Sequence, residues 1–347
     1  MRWEYWPIWF FYIPVVLYAL WLSIKYRGLT LFSIANPKMT FGGIFGDDKA
    51  SSLEAIKDTL HSNVPVSVLL TGDKQRQITQ ALDYAKKKGF PFVLKPNLGC
   101  RGQGVSIVND PQQLHSYYHS TEQQDILLQE YVEGLEFGIF YIRSPEAESG
   151  SLFSIAEKTF PVIKGDGISG IEQLILTNPQ LLPMASYYLK KHQHQLSRVL
   201  PKGEKLTLVD IGSHCRGAIF IEANHLMSEP LRLQIDNICK SLPEFYFGRL
   251  DIRVSDLTTL MKGQGIKVLE VNGVTSEAAH IYDSKNSVFK AYKVMFEQWE
   301  LAYKVGSVNR ARGYKPYTLR AIVGRLFKGY TDKKSKDVKS KKCHLDY

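Results

Sequence analysis

Short segments in the middle of the chain alternate apolar and polar residues, and this pattern predicts half-buried β-strands. Other segments carry apolar residues three and four positions apart, which predicts helices with one buried face. The predicted strands lie at 64–70, 92–94, 105–108, 126–129, 137–142, 151–158, 248–254 and 266–272, and the predicted helices at 49–60 and 77–88. A further helix is predicted from Ile171, with Ser169 as its N-cap. The chain therefore mixes short strands with helices.

The beginning of the chain departs from this pattern, because residues 5–24 form a run of 20 amino acids without a charge. As a helix the run would be about 30 Å long, the thickness of the hydrocarbon layer of a bilayer. A signal peptide and a buried helix of a soluble protein are alternatives, but the many aromatic residues favour a membrane anchor. The cations that follow the run predict a single span with the body of the protein in the cytoplasm.

The net charge of +10 resides in the C-terminal part of the chain. Residues 310–342 contain 12 Lys and Arg against two Asp, so the rest of the chain is neutral. Apolar residues interleave with these cations as far as Phe327, a pattern typical of an amphipathic helix on anionic lipid. A disordered tail and a tail that contacts nucleic acid are the alternatives. We expect lipid contact and no nucleic acid partner.

The four cysteines, Cys100, Cys215, Cys239 and Cys343, show no CxxC pair and no Cys/His spacing of a metal site. The sequence therefore indicates neither a zinc site nor a disulfide framework, and free thiols suit a reducing compartment. Cys100 and Cys215, each beside an arginine, are either reactive thiols or small buried residues.

A glycine-rich turn between two predicted strands, residues 92–108, is a candidate phosphate site. Lys95 ends the first strand, and Gly99, Gly102 and Gly104 surround Arg101. Glycines let the backbone turn its N–H groups toward anionic oxygens, and a lysine at a strand end supplies a positive charge. The spacing is neither that of a P-loop nor GxGxxG opening a helix. An ordinary hairpin with a surface lysine is the alternative.

Two predicted strands near residue 260 carry charged residues on one face. Arg249, Asp251 and Arg253 share a face of the first strand, and Glu270 and Asn272 share a face of the second. Charges beside an apolar face need a partner. The arginines neutralise the carboxylates, or a hard cation such as magnesium binds the carboxylates and the amide. The residues alone leave these two interpretations open.

Taken in order, the Lys-bearing strand with its glycine loop, then LLQEYVEGLE, GRLD and LEVN, resembles the ATP-grasp ligase superfamily over about residues 45–300. The segments VIKGDGISGIEQLI and CRGAIFIEANH are most similar to the ATP-grasp part of cyanophycin synthetase, and GRLD with LEVN is similar to D-alanine:D-alanine ligase and glutathione synthetases. The resemblance implies an α+β fold in which two α/β subdomains grip ATP.

The resemblance also implies roles for individual residues. Lys49 and Lys95 would contact the phosphates, the loop from Gly99 to Gly104 would close over them, Gln129 and the backbone of Glu130 and Val132 would contact adenine, and Glu136 would contact the ribose. Lys158 would reach the transferred phosphate, Asp251, Glu270 and Asn272 would bind magnesium or manganese, and Arg249 and Arg216 would hold the acyl phosphate or a substrate carboxylate.

The resemblance predicts an ATP-dependent ligase that joins a carboxylate to an amine through an acyl phosphate. A phosphotransferase and a non-catalytic nucleotide-binding module at the membrane are the alternatives. The predicted parts are an anchor at 1–27, a connector at 28–48, the ATP-grasp domain at 49–300 and a basic tail at 301–347. The family usually carries a full α/β domain before the first nucleotide lysine, whereas only about 48 residues precede Lys49 here.

Overall fold

The computed structural model describes residues 3–45, 48–99, 102–121, 125–213 and 216–327. The helices are α1 (Ile8–Lys25), α2 (Lys49–Thr59), α3 (Lys74–Lys88), α4 (Pro111–Ser120), α5 (Ile171–Leu176), α6 (Ala185–Lys191), α7 (Glu229–Ser241), α8 (Leu257–Met261) and α9 (Val288–Ala311). The strands are β1 (Ser67–Leu70), β2 (Phe92–Pro96), β3 (Ser106–Val108), β4 (Ile126–Glu130), β5 (Leu135–Ile142), β6 (Ser151–Thr159), β7 (Val162–Lys164), β8 (Lys205–Thr207), β9 (Ile219–Glu222), β10 (Phe247–Val254) and β11 (Lys267–Asn272).

These strands form antiparallel sheets. The four-stranded sheet has the order β1-β4-β2-β3, the five-stranded sheet has the order β11-β10-β5-β6-β9, and β7 pairs with β8. Helices and antiparallel sheets occur together, which confirms the predicted α+β class. The predicted hairpin around the glycine loop is also confirmed, because Phe92 on β2 pairs with Val108 on β3.

Each large sheet buries one face under helices. Helices α3 and α4 cover the four-stranded sheet with Ile78, Ala81 and Leu114. Helices α2 and α7 cover the five-stranded sheet in the same way, with Ile56 and Ile235 in its core. Helices α2, α3, α4 and α7 begin at a capping side chain, since Asp48, Asp73, Asp110 and Ser228 each accept a hydrogen bond from the first turn of their helix. The opposite face of the five-stranded sheet is partly covered by α9, where Phe140 and Phe247 pack with Ala302 and Val305. The polar residues described below lie on the rest of these opposite faces.

The predicted cap of α5 is wrong. Gly170 occupies the N-cap position, so α5 has no side-chain cap. Ser169 instead donates its backbone N–H and its hydroxyl to Asp166, at 2.7 Å each. The short turn at Asp166 competes for the hydroxyl, as serines near turns commonly do.

The predicted anchor forms helix α1, which packs along α9. Phe11, Val15 and Leu22 of α1 are buried, and Phe11 stacks on Tyr292 with ring centroids 5.1 Å apart. Lys25 makes an ion pair with Glu300 of α9 at 2.7 Å. Because α9 runs on to Ala311, the segment from 301 shares a helix with the body.

The described part of the chain ends in a second helical segment at 319–327, after an extended stretch at 314–318. The basic residues of the predicted tail beyond 327 lie outside the described residues, as do Cys100, Cys215 and Cys343. Cys239, by contrast, is buried under the five-stranded sheet.

Candidate functional site

The two large sheets meet at Lys95, near the end of β2. Its ammonium donates to Gln129 Oε1 on β4 and to the backbone carbonyl of Leu269 on β11, at 2.8 Å each. Gln129 Nε2 donates to the same carbonyl at 3.4 Å. Leu269 is free to accept because the pairing of β10 with β11 shifts register between Asp251 and Ile252, and a bulge leaves one residue unpaired. A bulge in one sheet therefore provides the acceptor for a lysine from the other.

The facing residues of β10 and β11 bring the predicted metal ligands together. Asp251 pairs in register with Glu270, and Arg249 pairs with Asn272. Partners in register point to the same face, with Cβ atoms about 5 Å apart. Asn272 Nδ2 donates to Asp251 Oδ2 at 3.3 Å, and Arg249 Nε donates to Asp251 Oδ1 at 2.8 Å. The strand alternation thus assembles two carboxylates, an amide and a guanidinium.

Glu136 occupies the centre of a buried ion network on the same sheet. Its carboxylate pairs with Lys158 at 3.1 Å and with Arg253 at 3.0 Å. Lys158 also pairs with Asp251 at 3.1 Å. Arg253 also donates to the Val132 carbonyl and lies over the Tyr131 ring, at 5.2 Å from its centroid.

The sequence placed Arg253 on the charged strand face but did not predict it as a site residue. Its position two residues after Asp251 on that face is the signal that could have identified it as part of the site.

Lys49 connects the glycine loop to the carboxylates. It is the first residue of α2, and its ammonium donates to the Gly99 carbonyl at 2.8 Å and pairs with Glu270 at 3.4 Å. Gly102 and Gly104 have φ values of +69° and +70°, which favour glycine. Arg101, which directly precedes Gly102, lies outside the described residues.

A second loop, residues 208–213, approaches the network at Gly212. A Cβ on Gly212 would lie 2.1 Å from Glu136 Oε1, so only glycine lets the backbone approach this closely. A Cβ on Gly102 would meet Ile211 Cγ2 at 3.1 Å and Arg216 Cδ at 3.5 Å. Ile211 and Arg216 therefore both lie beside the glycine loop at Gly102.

The predicted adenine contacts lie at the end of β4. The Glu130 backbone N–H donates to the Val66 carbonyl at 2.8 Å, and its carboxylate accepts from the Val66 N–H at 2.9 Å. The Val132 carbonyl accepts from Arg253. Of the predicted adenine residues, Gln129 is joined directly to Lys95, while Glu130 is bound to the edge of its own sheet.

Burial and ion pairing shift the pKa values of Asp251 and Lys95 in opposite directions. Burial disfavours the charged form of Asp251, but Arg249 and Lys158 outweigh it and lower the pKa of that carboxyl to about 2. Burial lowers the pKa of Lys95 to about 8, against the attraction of Glu270. The carboxylate of Asp251 is thus charged at every physiological pH, and the lowered pKa of Lys95 means that its charge is held less firmly than that of an exposed lysine.

Replacement of Glu136 by Gln is expected to reduce the free energy of unfolding by about 3 kcal/mol, because removing one partner leaves buried cations uncompensated. Chemical denaturation measures the loss. The control is Glu204→Gln, which breaks a surface ion pair with Arg198 at 2.6 Å and should cost less than about 1 kcal/mol. Equal losses in the two variants would contradict the role of Glu136 as the centre of the network.

The charges of this network suit a polyphosphate. Among the residues that contact one another here, five cationic side chains face three carboxylates, which leaves an excess of two positive charges. The cations are Lys49, Lys95, Lys158, Arg249 and Arg253, and the carboxylates are Glu136, Asp251 and Glu270. Lysine and arginine with backbone amides are the usual partners of phosphate oxygens.

A divalent cation fits the same face only if phosphate or water oxygens complete its coordination shell. In the described part of the chain, no group of three or more His, Cys, Asp or Glu residues is arranged to hold a metal ion. The two carboxylates Asp251 and Glu270, with the Asn272 amide, supply hard oxygen ligands but do not complete a coordination shell. Magnesium commonly takes its remaining ligands from phosphate and water, so the donor set fits it.

Comparison with known proteins gives a family match for part of the chain. Residues 46–164 match a family model described as an ATP-grasp domain. This match agrees with the resemblance to the ATP-grasp superfamily seen in the sequence. Lys49, Lys95, Gln129, Glu136 and Lys158 all lie within the matched residues.

Three similar proteins illustrate the relationship. Cyanophycin synthetase of Geminocystis herdmanii is 24% identical over 268 residues, which are 70% of this chain and 29% of that protein. A glutathione biosynthesis bifunctional protein of Streptococcus agalactiae is 31% identical over 110 residues, 30% of this chain and 14% of that protein. The structure of D-alanine–D-alanine ligase from Bacillus anthracis is 20% identical with a TM-score of 0.40, covering 73% of this chain and 66% of that one. The chain spans less than a third of the length of both curated relatives.

Proposed function

We propose that the protein is an ATP-dependent ligase that joins a carboxylate to an amine, with release of ADP and phosphate. The observation that carries the proposal is the shared face of β10 and β11, where Asp251 and Glu270 lie opposite each other beside Lys158 and Arg249. Such a face would hold a phosphoryl group between cations. The similarity to cyanophycin synthetase supports the same class of reaction.

The proposed reaction has two steps. A carboxylate oxygen of the substrate attacks the γ-phosphorus, the bond to the β-phosphate oxygen breaks, and ADP leaves with an acyl phosphate formed. An amine nitrogen then attacks the acyl carbon, phosphate leaves and a proton is released. The chain needs no covalent nucleophile, so its contribution is to position the reactants and to stabilise the charge that develops on the phosphoryl oxygens.

The position of each residue in the site suggests its role in the proposed reaction. Lys95 lies on the four-stranded sheet and Lys49 lies at the start of α2 beside the glycine loop, and both would bind the phosphates. Lys158 lies on the five-stranded sheet and would contact the transferred group. Arg249, beside Asp251, would hold the carboxylate of the substrate. Magnesium, bound by Asp251, Glu270 and Asn272, would neutralise the phosphate oxygens. Glu136, paired with two cations, would position Lys158 as well as contact the ribose.

Isotope transfer tests the mechanism. The purified chain is incubated with Mg-ATP, an amino-acid amine and carboxylates labelled with ¹⁸O. We expect ADP and phosphate in equal amounts, with one ¹⁸O atom of each carboxylate found in the phosphate. ADP without free phosphate would indicate a phosphotransferase, and ATP binding without turnover under every acceptor would indicate a binding module. Either result would overturn the proposed ligation.

We also propose that the chain is attached to a membrane, with the ATP-binding domain on the cytoplasmic side. In the described part of the chain, one helix, α1, is long and apolar enough to cross a membrane, although this criterion alone is weak. The tail adds to the proposal, since the helical segment 319–327 exposes Leu319, Val323, Leu326 and Phe327 among arginines. Such a segment would rest on anionic lipid.

A further inference from the structure

Helix α1 has two apolar faces, and only one of them is covered. The inner face packs along α9 from the Phe11–Tyr292 pair to the Tyr18–Phe296 pair and on to Lys25 beside Glu300. The outer face is exposed over the whole helix. Its exposed apolar side chains are Ile8, Trp9, Phe10, Ile13, Val16, Leu17, Leu20, Trp21 and Ile24. A contiguous apolar face of this size on a soluble surface marks an interaction site.

The packing on α9 decides how such a helix meets a bilayer. If α1 crossed the hydrocarbon layer while packed as observed, α9 would enter it too, with Lys293, Glu297, Glu300 and Lys304. Charged side chains inside the hydrocarbon are costly. Crossing alone would require α1 to leave α9, which would expose Phe11, Val15 and Leu22 and break the ion pair of Lys25. A helix that lies flat keeps every one of these contacts.

We infer that α1 is an in-plane membrane helix, whose outer face lies in the interface of an anionic bilayer while its inner face stays on α9. The inference concerns the partner and orientation of α1, and it does not depend on the ligase reaction. Aromatic and charged residues fit this orientation. Trp9 and Trp21 are exposed on the outer face, and indole rings favour the interface. Lys25, Arg27 and Arg310 gather at one end, because Arg310 donates to the Arg27 and Tyr26 carbonyls.

The orientation also brings the candidate site near the membrane. Tyr12 of α1 donates a hydrogen bond to the carboxylate of Glu277. The backbone carbonyl of Glu277 accepts from Arg249 at 3.1 Å, and Arg249 pairs with Asp251. Two residues therefore link the membrane helix to the carboxylate face. The substrate end of the proposed site is held beside the lipid surface.

Depth measurements on the full chain test the inference. Nitroxides are attached at Ile13, Leu17, Leu20 and Ile24 in a background without other cysteines whose ATP binding is intact, and the protein is bound to phosphatidylcholine vesicles with 30% phosphatidylglycerol. An in-plane helix is expected to place the four probes at one shallow depth, about 5–10 Å below the headgroups. A spanning helix would place Leu17 near the bilayer centre and Ile24 at an interface, and this profile would overturn the inference.

Binding measurements with matched variants complete the test. Leu17→Glu should weaken vesicle binding at least tenfold, while Leu233→Glu, at an exposed leucine of α7, should leave it unchanged. Arg27→Gln should weaken binding to anionic vesicles about fivefold and leave binding to neutral vesicles unchanged. Equal effects of the two Leu→Glu variants, or a chain that forms dimers through α1 and ignores vesicles, would overturn the inference.

Discussion

Glu270→Gln is expected to lower ATP turnover by about two to three orders of magnitude, because the amide replaces one of the two carboxylates proposed to hold magnesium. The fold should survive the change. Glu270 is half-buried, and its partner Lys49, at 3.4 Å, also donates to the Gly99 carbonyl. Turnover is measured as ADP release with saturating magnesium, and thermal unfolding is measured on the same sample.

Glu54→Gln provides the control for this prediction. Glu54 is an exposed carboxylate on α2 that pairs with Lys57 at 3.0 Å, so its loss changes the net charge equally without touching the site. Turnover of this variant should match that of the unchanged chain. If Glu270→Gln keeps full turnover across a magnesium titration, the assignment of β11 to the metal is wrong.

Lys95→Met is expected to weaken ATP binding about 10- to 100-fold and, at the same time, to stabilise the chain measured without nucleotide by roughly 1 kcal/mol. Burial lowers the pKa of Lys95 to about 8 from 10.5, which means that the fold disfavours the ammonium. Methionine removes the buried charge, and the lost hydrogen bonds to Gln129 and Leu269 offset only part of the gain. Calorimetric titration with an ATP analogue measures the binding.

The stability gain of Lys95→Met should depend on pH, whereas a gain that came from better packing would not. Because the folded pKa lies below the unfolded pKa, the charge destabilises the fold fully below pH 8, and the penalty disappears as the pH rises toward 10.5. The stability gain of Lys95→Met should therefore shrink over this interval. Lys86→Met, at a surface lysine, should show neither the gain nor its pH dependence. A variant that is less stable at pH 7 would argue that Lys95 is structural.

The facing strands of the site could be predicted from the sequence because their signal is local. Alternation in 248–254 and 266–272 fixes which side chains share a face, and the structure pairs Asp251 with Glu270 as that alternation requires. The glycine hairpin has an equally local signal. The α+β class followed from the resemblance of the ordered motifs to the ATP-grasp superfamily.

Other parts of the site depend on contacts that no local pattern encodes. The bulge that frees the Leu269 carbonyl arises from the pairing of two strands, and neither strand marks it alone. The pairing of Glu136 with Arg253 joins residues 117 positions apart. The packing of α1 on α9 could not be predicted either, because the sequence of an apolar helix does not show whether another helix or lipid covers it. Long-range partners decide these features.

The ion network has a consequence for how tightly a nucleotide is held. Each of the five cations of the described network already has an oxygen of the chain as its partner: Lys49 has Gly99, Lys95 has Leu269, Lys158 has Glu136, Arg249 has Asp251 and Arg253 has Val132. In the proposed function, an entering phosphate would displace these oxygens and gain only the difference between two good hydrogen bonds. Nucleotide binding would therefore be an exchange of partners, which would favour release of ADP over strong retention of ATP.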